Sequence, residues 1–233
     1  MTNLYSGKNI LILGFGVTGK EVLKTCLELE ANKIYIYDEN EIDFAFLSNV
    51  EFYNDDAEIS VIIKSPGIKM DHPLLVKYSN VKVINDIELA YEIVNEETKI
   101  IAVTGTNGKS TFVSLLTKIL ADQNYDAFAC GNIGISPLKV LREEKNIDYL
   151  VFELSSFQIN NIVNFTPDYA FVLNITPDHL DYHKDFEEYY DVKLNIVKNG
   201  LRKGALFLEE NINFINEKNL KLYKSDEAIC RDL

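Results

Sequence analysis

Apolar and polar positions along this chain alternate in blocks rather than singly. Residues 9–16 (NILILGFG) form a short apolar run ending in glycines, and residues 20–30 (KEVLKTCLELE) then space their apolar side chains at helical intervals. The pattern recurs as strand-like KIYIYD (33–38), VIIKSPGI (61–68) and the strand-to-helix stretch KVINDIELAYEIV (82–94). A polar joint, Asn95-Glu96-Glu97-Thr98, precedes a β-branched run at 99–103. The segment STFVSLLTKILADQ follows, with Phe112, Leu115, Leu116, Ile119 and Leu120 on one predicted helix face. Further strands are predicted within YDAFACG (125–131), DYLVFEL (148–154), DYAFVLNI (168–175) and GALFLEE (204–210), and a helix within FEEYYDVKLNIVKNG (186–200). Short apolar runs alternating with amphipathic helices predict an α/β fold built on parallel sheets. The joint near residue 96 divides it into a Rossmann-like unit at 1–95 and a P-loop unit of the ATPase type at 96–233.

The two units each open on a glycine turn between a strand and a helix. Gly14-Phe15-Gly16-Val17-Thr18-Gly19 is a complete G-x-G-x-x-G, and Asp38 ends the following strand, where a dinucleotide fold holds a ribose. The same geometry cradles any diphosphate-bearing ligand, because free N–H groups and the positive end of the dipole meet at a helix N-terminus. The second turn, Gly105-Thr106-Asn107-Gly108-Lys109-Ser110-Thr111, ends like a P-loop, but the usual G-x-x-x-x-G-K-[ST] spacing would put its first glycine at 103, which is Val103. The loop is therefore shorter than the common form, yet it sits between a buried strand and an amphipathic helix, as phosphate binding requires. Lys109 would reach terminal phosphates, and the Ser110 hydroxyl suits Mg²⁺.

Chemistry gathers at two further strand ends of the second unit. Glu153 closes Asp148–Glu153 and is followed at once by Ser155, Ser156 and Gln158, a polar edge unlike a core turn. In parallel sheets such ends line the ligand crevice, and Mg²⁺ beside a nucleotide needs one or two carboxylates. The strand at 171–175 runs into Thr176-Pro177-Asp178-His179-Leu180-Asp181-Tyr182-His183, which holds two of the chain's three histidines. Lys193 lies among Tyr189, Tyr190, Val192, Leu194 and Ile196, and the pattern alone leaves it a solvated helix lysine.

Composition adjusts this picture little. The net charge of −13 and the lack of a basic stripe argue against nucleic acid as partner. It leaves nucleotides open, since anion binding depends on a local field. No apolar run approaches the ~20 residues that span a bilayer, and the first residues lack a signal-peptide pattern, so the chain is expected to be cytoplasmic, with no membrane partner. Cys26, Cys130 and Cys230 are isolated and indicate neither zinc nor a disulfide framework.

TGTNGKST, ELSSFQ, NITPDHLDYH and the VKLNI segment together resemble the Mur ligases of peptidoglycan synthesis, whose P-loop has this shortened form. With GNIG, SPGI and DIELA, the likeness is greatest to the D-glutamate-adding branch, and it covers nearly all of the chain, weakening after about Gly204. The resemblance implies an ATP-dependent ligase that phosphorylates the carboxylate of UDP-N-acetylmuramoyl-L-alanine to an acyl phosphate, which the amine of D-glutamate attacks. It implies Gly105–Thr111 on ATP, Ser110 and Glu153 on one Mg²⁺, and His179 and Lys193 on a second, with Lys193 carbamylated. An ammonium repels Mg²⁺, whereas a carbamate offers oxygens to it. It implies that Gly14, Gly16, Val17, Thr18, Asp38 and Gly67 meet the uridine diphosphate and that Asn132, Ser155 and Gln158 lie along the muramoyl-alanine. Glu39 follows Asp38 where relatives often carry a basic residue. The family runs to nearly twice this length, so the chain is expected to be a truncated form, inactive alone, and to be a monomer. Two other readings remain open: a non-catalytic module binding UDP-sugar or nucleotide, and an NAD-dependent oxidoreductase built on the first glycine turn.

Overall fold

The computed structural model describes residues 3–40, 47–209, 212 and 221–224. Cys230 and the tail from residue 225 onward lie outside them.

The first sheet is made by β1 (Asn9–Leu13), β2 (Lys33–Tyr37), β3 (Val50–Phe52), β4 (Val61–Lys64) and β5 (Lys82–Ile84), with helices α1 (Val17–Glu28) and α2 (Pro73–Lys77) between them and α3 (Asp86–Ile93) after β5. Its order is β3-β2-β1-β4-β5, and every pairing is parallel. From β1 the chain goes to β2 on one side and later returns to β4 on the other, so a crevice opens beyond the ends of β1 and β4. The glycine turn 14–19 and the turn Ser65-Pro66-Gly67 stand at that crevice. Gly19 lets α1 press onto the end of β1: a Cβ there would lie 2.2 Å from the Gly14 carbonyl oxygen.

The second sheet contains β6 (Lys99–Thr104), β7 (Ala127–Gly131), β8 (Tyr149–Glu153), β9 (Tyr169–Val172), β10 (Leu206–Leu208) and β11 (Leu222–Lys224). Helices α4 (Lys109–Asp122), α5 (Pro137–Glu143), α6 (Ser156–Ile159) and α7 (Phe186–Leu194) connect them. The order β11-β10-β9-β6-β8-β7 is again parallel throughout, with β6 between β8 and β9. Buried runs in β1, β6 and β8 explain why these strands read as unbroken apolar blocks, since helices cover both faces of such sheets.

One expectation needs amending. The α4 side chains Leu115 and Ile119 are 57 % and 50 % exposed, while Phe112, Leu116 and Leu120 pack on the sheet core with buried Val113. Periodicity identified the apolar side correctly, but its outer margin has no cover among the described residues.

The two sheets share one core cluster, and polar clamps reinforce the joint. Arg142 on α5 donates to Thr25 Oγ1 at 2.9 Å and to Glu21 Oε2 at 2.5 Å on α1. From α3, the buried Glu88 carboxylate accepts the N–H groups of Val163, Asn164 and Phe165 at 2.8, 2.6 and 3.1 Å. Asn85 Nδ2 donates to the Gln158 carbonyl at 2.8 Å. Among the described residues no helix is long and apolar enough to cross a membrane.

Candidate active site at the strand ends

The P-loop leaves the end of the central strand β6 and enters α4 through Gly108. Lys109 folds back on its own loop, its Nζ donating to the Gly105 and Thr106 carbonyls at 2.8 and 2.9 Å. Thr106 Oγ1 lies within 3.2 Å of the Tyr189 hydroxyl, and Asn174 holds Asn107 by hydrogen bonds in both directions, so the neighbouring strand end and α7 fix the loop. Ser110 and Thr111 are exposed at the first turn of α4.

Lys193 departs from its helical pattern. It is 2 % exposed, and its Nζ donates to the Gly105 carbonyl at 2.9 Å, so two lysines converge on one P-loop oxygen. Burial first, then the Lys109 charge, pull its pKa down to about 7, against the opposing pull of Asp178. A burial that depends on a loop 88 residues away is invisible to local pattern.

Glu153 ends β8 beside β6, 2 % exposed. Its Oε1 accepts from Asn132 Nδ2 at 2.9 Å, while Oε2 is buried with no hydrogen-bond partner. Gly131 brings the Gly131–Gly134 loop this close: its φ is +102°, and a Cβ would stand 2.4 Å from the Glu153 carbonyl oxygen. The free oxygen fits a divalent cation, which takes hard oxygen ligands and needs few carboxylates when phosphates and water complete its shell. His179 sits at φ +52°, uncommon for a residue with a side chain, and is half exposed. Its ring packs 5.0 Å from Phe157 and 6.3 Å from Tyr189, whose ring in turn lies 4.7 Å from Lys193 Nζ. His183, not assigned a role from the sequence, is buried and bonded to Ser156 Oγ at 2.9 Å, tying this loop to α6.

The remaining predicted residues fall in two adjoining recesses. A cleft of about 510 Å³ between the sheets is lined by Val17, Thr18 and Gly67 from the first and by Asn132, Ser155 and Gln158 from the second. Ser155 and Gln158 form a capping box on α6, which accounts for their spacing. A second recess, about 620 Å³, takes in Gly14, Gly16, Asp38 and Gly67, together with Tyr37, Glu39 and His72. Asp38 is already engaged: Oδ2 accepts the Phe15 N–H at 2.6 Å and Oδ1 the Asn40 N–H at 2.9 Å, and these backbone bonds, Phe15's foremost, hold its carboxyl below its ordinary range. It shapes the glycine turn directly.

This combination defines a class: a two-sheet α/β protein with a P-loop-like turn at the end of its central strand β6 and a cleft between the two sheets. Residues 103–228 match the Mur ligase middle domain, and the chain belongs to the Mur ligase family. It is 40 % identical over 210 residues to a UDP-N-acetylmuramoylalanine–D-glutamate ligase of Fusobacterium nucleatum, covering 88 % of this chain and 47 % of that protein. The corresponding ligase of Alkaliphilus oremlandii is 34 % identical over 238 residues, covering 95 % and 50 %. The chain thus spans about half the length of these relatives. Its fold matches the UDP-N-acetylmuramate:L-alanyl-gamma-D-glutamyl-meso-diaminopimelate ligase from Neisseria meningitides, with TM-score 0.59, 16 % identity, and coverage of 94 % of this chain and 78 % of that one. It also matches a MurF ligase from Thermotoga maritima solved with ADP, with TM-score 0.50, 18 % identity, and coverage of 91 % and 45 %.

Proposed function

We propose that this chain carries the UDP-sugar-binding and ATP-binding parts of an ATP-dependent ligase that joins D-glutamate to UDP-N-acetylmuramoyl-L-alanine. Residues 1–95 hold the uridine diphosphate and residues 96–233 hold ATP. The observation that carries this reading is the convergence of Lys109 and Lys193 on the Gly105 carbonyl at the end of β6, with the buried Glu153 and its one free oxygen ending the neighbouring strand β8.

The roles follow from charge. Transfer of a phosphoryl group between two anions requires neutralisation and alignment. Lys109 exchanges its two loop carbonyls for phosphate oxygens, and the loop N–H groups at the start of α4 take up the rest. An oxygen of the L-alanyl carboxylate forms a bond to the terminal phosphorus as ADP leaves. The D-glutamate amine then attacks the acyl carbon, phosphate departs, and the amine proton is released. Asn132, Ser155 and Gln158 orient the muramoyl-alanine along the cleft. Ser110 and Glu153 would hold one Mg²⁺ and His179 and Lys193 a second, supplying charge neutralisation at the phosphates and the acceptor carboxylate. For Lys193 to serve, its amine adds to CO₂, forming an N–C bond and releasing a proton. Its burial beside Lys109 supports this, since both disfavour the ammonium form.

Calorimetric titration with UDP-N-acetylmuramoyl-L-alanine, ATP and NADH tests the reading. Saturable heat is expected with the UDP-sugar and none with NADH. NADH binding without UDP-sugar binding would refute it in favour of an oxidoreductase.

A further inference from the structure

The interdomain cleft contains more polarity than the residues assigned so far account for. Among the described residues, the buried side-chain atoms lacking a hydrogen-bond partner are Asp86 Oδ1, Thr117 Oγ1, Ser136 Oγ and Glu153 Oε2. Glu153 belongs to the nucleotide end, but Asp86 and Ser136 both line the cleft, from opposite domains. Native interiors leave few such atoms unpaired, and each one asks for a partner.

Asp86 is the first residue of α3 and only 4 % exposed. Capping does not explain it, because Asn85 is the cap: its Oδ1 accepts the Glu88 N–H at 2.9 Å. Ion pairing does not explain it either. The buried Lys64 attracts the carboxylate, but its Nζ donates to the Ile68 and Ser65 carbonyls at 2.7 and 3.3 Å, bracing the Ser65–Ile68 turn from behind. Burial pushes the Asp86 carboxyl up to about 6, against the pull of its own and the Ile87 amides and of Lys64. At pH 8 it is therefore ionised and can only accept hydrogen bonds. An ionised carboxylate repels a diphosphate or a second carboxylate, so its complement is a neutral donor.

We propose that Asp86 is a specificity-determining residue that accepts a hydrogen bond from a neutral N–H or O–H group on the sugar–peptide part of the substrate, with the Ser136 hydroxyl as a second contact in the same cleft. This rests on the proposed UDP-sugar binding and adds what distinguishes the sugar from the bare nucleotide. The position supports it: Asp86 lines the same cleft as Val17, Thr18 and Gly67, proposed for the diphosphate, and Asn132 and Ser155, proposed for the muramoyl-alanine.

The test compares calorimetric affinities for UDP and for UDP-N-acetylmuramoyl-L-alanine at pH 8 in the wild type, Asp86→Asn and Ser136→Ala. In Asp86→Asn the amide oxygen is claimed by the α3 backbone N–H groups, so an NH₂ meets the ligand donor. The expected result is an about ten- to hundredfold loss of UDP-sugar affinity, the usual range for a lost hydrogen bond to a charged group, with UDP affinity unchanged. Ser136→Ala is expected to show the same selectivity with a smaller loss, and it decides the matter if Asp86→Asn does not fold. Equal losses for UDP and UDP-sugar, or none for either, would overturn the inference while leaving the proposed function standing. A wild type that binds neither ligand would instead overturn the proposed function, and this inference with it.

Discussion

Glu88 is the strongest single joint between the two sheets, and replacing it gives a measurable consequence. Its carboxylate is fully buried and accepts three consecutive backbone N–H groups, those of Val163, Asn164 and Phe165. In Glu88→Ala the Phe165 N–H is left buried and unpaired, which costs about 1–3 kcal/mol. Val163 and Asn164 are exposed, so water replaces their lost bonds at a net cost of about 0.5–1.5 kcal/mol each. The sum is about 2–6 kcal/mol, and at about 2–4 °C per kcal/mol for a chain of this size the melting temperature falls by roughly 10 °C. Glu88→Gln keeps one acceptor oxygen and should lie between wild type and alanine. Scanning calorimetry reads both; the shared core and the Arg142 and Asn85 clamps remain, so the alanine variant should still melt as one transition, at the lowered temperature. A Glu88→Ala chain that melts at the wild-type temperature would refute the assignment of Glu88 as an interdomain staple.

Lys109→Ala should lower ATP affinity about ten- to hundredfold by calorimetry while leaving UDP-sugar binding unchanged, because a charge-assisted contact to phosphate is lost at one end of the site only. Lys193 should give a carbamate signal in carbon NMR with labelled CO₂, absent in Lys193→Arg; a labelled, substrate-saturated sample without that signal would count against the modification. Glu21 is held below its ordinary value of about 4.5 because Arg142 and Lys24 outweigh the effect of burial. Its folded pKa is depressed, so its contribution is present above that ordinary value and lost as pH falls through the folded one; the stability gap between wild type and Glu21→Gln should close in acid.

The sequence displayed some of this architecture plainly and concealed the rest for physical reasons. β1, β6 and β8 were legible because strands covered on both faces appear as unbroken apolar runs. The glycine turns and the Gly105–Thr111 loop were legible because a strand-to-helix turn is encoded in contiguous residues. Lys193 was not: its neighbours Tyr189, Val192 and Ile196 mark a helix face, but only the distant Gly105 carbonyl makes that face an interior site. Arg142 sits in Leu141-Arg142-Glu143-Glu144-Lys145, which reads as a solvated charge run, yet its side chain is 6 % exposed because α1 supplies Glu21 and Thr25. Asp86 likewise looks like an ordinary first-turn acid, favourable at a helix N-terminus. Only the absence of a partner for its Oδ1, in a cleft made by both domains, sets it apart. α6 could have been found, since Ser155-x-x-Gln158 is a capping-box pattern.

The pair of lysines on Gly105 also gives a reason why the proposed carbamate would form at one and not the other. Lys109 stands at the exposed first turn of α4, where phosphate oxygens can replace its loop carbonyls, and an ammonium is the useful form there. Lys193 is buried behind the same loop, and the Lys109 charge beside it works against a second ammonium. Conversion to a carbamate reverses the sign of that interaction. The repulsion would become an attraction between Lys109 and an anion, and the interior position, which among the described residues offers the cation no carboxylate at bonding distance, would then hold a charge with a partner. Asn132 extends the same logic to the cleft: it lines the interdomain recess while its Nδ2 holds Glu153 Oε1, leaving Oε2 free. A ligand that displaced Asn132 would free Glu153 Oε1 as well, so this one hydrogen bond couples the cleft to the end of β8 within the second domain.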